Sequence, residues 1–100
     1  MKKLSRLRSK RLAEKLLEIR LRLNLSQAEI LERLGFGDEL FRSNISQYER
    51  GTRVPALPVL MEYSRMAGVH MEDVVDDSVD LPKKIADTKK TKRRKRIAPP

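Results

Sequence analysis

The stretch LSQAEILERLGFGDELFRSNISQYERG, Leu25 to Gly51, decides the fold. Ser26 is followed three residues on by Glu29, the capping-box spacing that opens a helix. Ile30, Leu31 and Leu34 then recur on one face, with Ala28 at its margin. Gly35, free to take positive φ, stops the helix. Phe36-Gly37-Asp38 reads as a turn, and Asp38 is able to cap the next helix. That second helix starts at Glu39, or at Arg42 if the first turn is irregular. Leu40, Phe41, Ile45 and Tyr48 supply its apolar side, and Gly51 ends it. Two short amphipathic helices joined by a tight connection result, and the second keeps polar side chains on the face its core residues leave free.

The neighbouring sequence supports this pair. Upstream, Leu12, Leu16, Ile19 and Leu23 recur at steps of four and three, a single buried stripe widened by Ala13 and Leu17. They predict a helix from near Ser9 to about Leu23, with Asn24 as its stop. Downstream, Arg53-Val54-Pro55 is a short loop. Leu57 to Ala67 reads as a helix that tolerates Pro58 in its first turn. Its expected inward face is Leu57, Leu60, Met61, Ser64 and Ala67, flanked by Tyr63, and Gly68 terminates it. His70 or a neighbour caps a short last helix in which Met71, Val74 and Val75 close the core. Leu81-Pro82 ends the globular part. The expected organisation is a basic arm at 1–8, an all-α five-helix domain at 9–82 and a disordered basic tail at 83–100. Strand-like alternation and internal repeats are absent.

One hundred residues suffice for one small domain and a tail. The net charge of +9 is terminal: residues 1–22 hold nine cations against two acids, and residues 83–100 hold nine against one. The middle holds five cations and eleven acids. This distribution implies a polyanionic partner, although charge alone does not separate DNA from RNA or an anionic membrane surface. The chain has no cysteine, which excludes disulfides and thiolate metal sites. His70 has no second histidine to share a metal, and no cofactor motif is present. Asp73, Asp76, Asp77 and Asp80 lack the glycine and terminal glutamate of a calcium loop, and read as a solvated acidic patch. No apolar run could serve as a signal core or span a bilayer, so a cytoplasmic location is expected. Neither a glycine-rich phosphate loop nor a nucleophile–base set is legible, and enzyme activity is not expected.

Several elements in order make the chain resemble the Xre family, the helix-turn-helix domains of Cro and lambda-type repressors. They are Leu25-Ser26-Gln27, Leu34-Gly35, Ile45-Ser46, Glu49 with Gly51, Pro55 with Leu57, and Gly68-Val69. The resemblance covers roughly Leu12 to Val75. One departure stands out: Phe36 to Asn44 is about four residues more than the usual family spacing, about one helical turn. Either the third helix is longer at its start or the connecting turn bulges.

The resemblance implies that the third helix reads double-stranded DNA, with the base readers falling on Arg42, Ser43 and Gln47 and with Asn44 nearby. Arginine can bond guanine O6 and N7 together, and glutamine or asparagine can do likewise on adenine. Gln27 matches a family glutamine that approaches a phosphate at a helix start. Ser46, Arg50, Thr52 and Arg53 are the further expected phosphate contacts. Arg20 and Glu49 match a family ion pair that clamps the first helix to the end of the third. The acidic patch would then face away from the duplex and could attract the basic tail when DNA is absent. The tail cations, without aromatics for stacking, suit phosphate binding. The implied function is a sequence-specific transcription regulator, a repressor acting as a homodimer on a palindromic operator. The alternative is an antitoxin or accessory subunit whose autoregulatory helix-turn-helix domain also binds a protein partner.

Overall fold

The computed structural model describes residues 11–85. Five α-helices run in order: α1 (Leu12–Arg22), α2 (Gln27–Leu34), α3 (Arg42–Arg50), α4 (Leu57–Ala67) and α5 (Met71–Val75), with a 3-10 turn at Gly37–Glu39. No strand occurs among the described residues. The basic arm and the tail beyond Ile85 lie outside them, as does Ser9. Among the described residues α1 starts at Leu12, after Arg11, which adopts a non-helical bend (φ −101°, ψ 0°). Its backbone N–H is drawn to Asp77 Oδ1 at 3.0 Å.

The α1 stripe is buried as expected at Leu12, Leu16, Ile19 and Leu23. Asn24 takes φ +62°, which lets the Leu25 N–H return to the Arg20 carbonyl at 3.1 Å. A short polar side chain tolerates that left-handed turn. Ser26 and Glu29 form the capping box, each bonding the other's backbone N–H. Gly35 at φ +76° and Gly51 at φ +78° end α2 and α3. α1 and α2 both pack on α3, and α4 closes the core against α1 and α2. Ile30, Ile45 and Tyr63 are fully buried, the two isoleucines contributing about 1.5–3 kcal/mol each.

The inward faces of α4 and α5 differ from those their periodicity predicts. On α4 the buried residues are Val59, Leu60, Tyr63, Ser64, Met66 and Ala67, whereas Leu57 and Met61 are 60% and 40% exposed. Apolar groups surround most of this helix, so periodicity alone cannot choose its inward side. Tyr63, expected at the flank, sits in the centre. On α5 only Val74 is fully buried; Met71 is half-buried and Val75 exposed, because so short a helix has one inward position.

The extra residues before Ile45 lengthen the connection and leave α3 its start at Arg42. After the 3-10 turn come two extended residues, Leu40 (φ −140°, ψ 138°) and Phe41 (φ −124°, ψ 163°). Successive side chains of extended backbone point to opposite sides. Leu40 therefore enters the core and Phe41, expected inside, is 59% exposed.

The chain beyond α5 runs along α1 from its N-terminal to its C-terminal end, fastened by three cations. Lys15, only 1% exposed, donates through Nζ to the carbonyls of Asp73, Asp76 and Val79 at 2.8, 2.8 and 2.7 Å. Arg11 bonds the Asp77 carbonyl at 3.1 Å and Asp80 Oδ1 at 2.7 Å. Arg22 bonds the carbonyls of Pro82 and Lys83. Leu81 is buried and Ile85 packs against the core, three residues past the expected boundary.

The aspartates here are therefore more than a solvated patch. Asp77 and Asp80 hold Arg11, and Asp73 accepts the His70 N–H at 3.1 Å at the start of α5. Asp76 accepts the Ser78 hydroxyl at 2.6 Å and its N–H at 2.9 Å. Those two bonds hold its carboxyl below the usual range.

Candidate nucleic-acid interface

α3 carries Ile45 and Tyr48 inward, which leaves Arg42, Ser43 and Arg50 exposed and Ser46 and Gln47 half-buried. Its first turn is fixed by Asn44, whose Oδ1 accepts the Phe41 N–H at 2.9 Å. The Asn44 backbone N–H bonds the Phe41 carbonyl at 2.8 Å, and its Nδ2 donates to Gln47 Oε1 at 3.4 Å. Asn44, expected as a base reader, uses its Oδ1 to orient the helix start, and its Nδ2 faces Gln47. Arg53 approaches the same Gln47 oxygen at 3.5 Å, so two donors face that amide from longer than ordinary hydrogen-bond distance. Thr52 closes the end of α3 by bonding the Gln47 carbonyl from its N–H at 3.0 Å and from Oγ1 at 3.3 Å.

The helix is braced from behind. Arg20 Nε donates to Glu49 Oε2 at 2.6 Å and Nη2 to Oε1 at 3.0 Å, a two-point guanidinium–carboxylate pair. Its remaining Nη1 donates to the Leu25 carbonyl at 3.0 Å, so one side chain ties α1, the α2 entry and α3. The side chains are 15% and 6% exposed. The bonds to Glu49 raise the Arg20 pKa despite partial burial. Gln27 Nε2 also donates to Glu49 Oε1 at 3.0 Å. The glutamine expected to approach a phosphate is therefore oriented by the carboxylate that holds α3. Tyr63 lies behind this group, its hydroxyl buried and without a hydrogen-bond partner among the described residues. Burial first, then the charge of Glu49, pushes that phenol far above its ordinary range.

The structure places Arg42, Ser43, Gln47, Arg50, Thr52 and Arg53 along one helix and the loop after it, with Gln27 alongside at the start of α2. Three features escape sequence reasoning. Lys15 gives only a weak signal, a charge at the edge of an apolar stripe. The capping role of Asn44 has a readable signal in its place three residues after Phe41, the capping-box interval. The exposure of Phe41 depends on an extended pair that periodicity does not register. Arrangements of this kind, a braced helix with a polar outer face, can lie in a major groove with its N-terminal residues at the base edges. The groove is wide enough to admit an α-helix. A family model described as Helix-turn-helix matches residues 16–74. No curated protein and no solved structure matches the chain.

Proposed function

The chain belongs to the Xre family of helix-turn-helix proteins and is a DNA-binding regulator, and we infer that it acts as a repressor, binding a palindromic operator as a homodimer. The observation that carries this reading is the outer face of α3, where Arg42, Ser43 and Gln47 stand on a helix held by Arg20 and Glu49. Arg42 and Gln47 read base edges, Ser43 adds a further hydrogen bond, and Asn44 orients the helix start. Gln27, Ser46, Arg50, Thr52 and Arg53 hold the flanking phosphates and fix register without carrying sequence information. The nine cations of residues 83–100 add sequence-independent attraction that weakens with salt. Repression results from occupying the operator.

Selection from random duplexes with the purified protein tests this. The expected product is a palindrome whose half-sites are about one helical turn apart, roughly 34–36 Å. An unenriched pool, with bulk DNA competing as well as any sequence, would refute it.

A further inference from the structure

Phe41 is the largest apolar side chain standing in solvent next to the base-reading positions, at 59% exposure. Three observations fix where it stands. It immediately precedes Arg42, the first residue of α3. The buried Leu40 before it and the extended backbone of both residues turn it away from the core. Its N–H is locked by Asn44 at 2.9 Å, so the ring is carried on a fixed hinge and not on a loose loop. The exposed Asp38 and Glu39 just upstream would repel a phosphate. This tip therefore suits base edges better than the DNA backbone.

Among the groups on the major-groove floor, the thymine 5-methyl is the apolar one. We propose that Phe41 is a specificity-determining residue that packs on a thymine methyl beside the base pair read by Arg42. The inference rests on the DNA-reading role of α3 given above and adds a contact of a different chemical kind, apolar where its neighbours form hydrogen bonds. Burying one methyl against the ring corresponds to about fourfold in affinity per half-site.

The test uses the full chain and the duplex recovered by selection, with each thymine replaced in turn by deoxyuridine, which removes only the methyl. The wild-type protein loses about fourfold per half-site at one thymine position. Phe41→Ala binds the thymine duplex more weakly by a similar factor and shows no further loss with deoxyuridine there. Phe41→Leu keeps part of the methyl preference. Because the ring is exposed, both variants melt with the wild type. The inference is overturned if no deoxyuridine position weakens the wild type, or if Phe41→Ala is just as sensitive to methyl removal. A selection that enriches no sequence refutes the operator reading itself and this contact with it. Enrichment without methyl sensitivity removes the contact alone.

Discussion

The two flanks of α1 are fastened by cations in different ways. Toward α3, Arg20 meets a carboxylate, Glu49, in a two-point pair. Toward the C-terminal strap, Lys15 meets three backbone carbonyls and Arg22 two more, while Arg11 adds an exposed carboxylate, Asp80, beside the Asp77 carbonyl. The first flank joins side chains of complementary charge and sets the angle of one helix against another. The second caps carbonyls at the end of α5 and along an irregular segment. Those held by Lys15 are partly buried and would otherwise lack donors, whereas those held by Arg22 are exposed. One flank positions the outer face of α3; the other fastens the C-terminal strap.

Substitutions can separate the two. Glu49→Ala should have the largest effect, since it leaves Arg20 in a half-buried site without its counter-charge and frees Gln27. A loss on the order of 3–5 kcal/mol in denaturant unfolding is expected, together with loss of DNA binding. Binding lost at an unchanged melting temperature would reject the bracing role. Lys15→Ala should come next, at about 3 kcal/mol, from orphaned carbonyls and a cavity. Under conditions where this variant is still folded, base preference should be that of the wild type, because the Lys15 bonds run to the strap and not to α3. A changed preference would erase the distinction between the flanks.

Smaller effects sharpen the picture. Ser26→Ala removes the α2 cap and should cost about 1 kcal/mol, read by thermal melting. Tyr63→Phe removes a buried hydroxyl that lacks a partner, and should raise stability by about 1 kcal/mol. The same phenol gives a pH signature. Its pKa is raised in the fold, so its contribution is fully present below the unfolded value of about 10 and is lost as pH rises beyond it. The wild type should lose stability steeply above about pH 10, and Tyr63→Phe should lose less over that range. Parallel alkaline melting curves for the two proteins would contradict this assignment.

The contrast between flanks also explains what is legible in the sequence. Helix ends governed by local chemistry are readable: the Ser26–Glu29 box, the Gly35 and Gly51 stops, and Pro58 inside α4. Arg20 and Glu49 are recognisable because both partners are side chains with a family pattern. The carbonyl partners of Lys15 have no residue identity, and nothing local announces them. The ends of α4 are plain from its flanking residues, but its inward side is not, because Leu57, Met61, Val59 and Met66 are equally apolar. The long connection between α2 and α3 leaves two alternatives at the level of sequence. The 3-10 turn at Gly37–Glu39 and the buried Leu40 decide between them. The DNA contacts themselves are expected by resemblance, and the fold brings their residues onto α3, the loop after it and the adjoining start of α2.

The most direct test of the central claim, that α3 is a braced rod reading bases through its outer face, is titration of Gln47→Ala against the selected duplex and its single-base-pair variants. Discrimination should collapse by about 1–3 kcal/mol at one base pair per half-site, with every other position still discriminated and the melting temperature unchanged. A uniform weakening across all sequences, with every preference intact, would show that Gln47 does not read a base and would contradict the account.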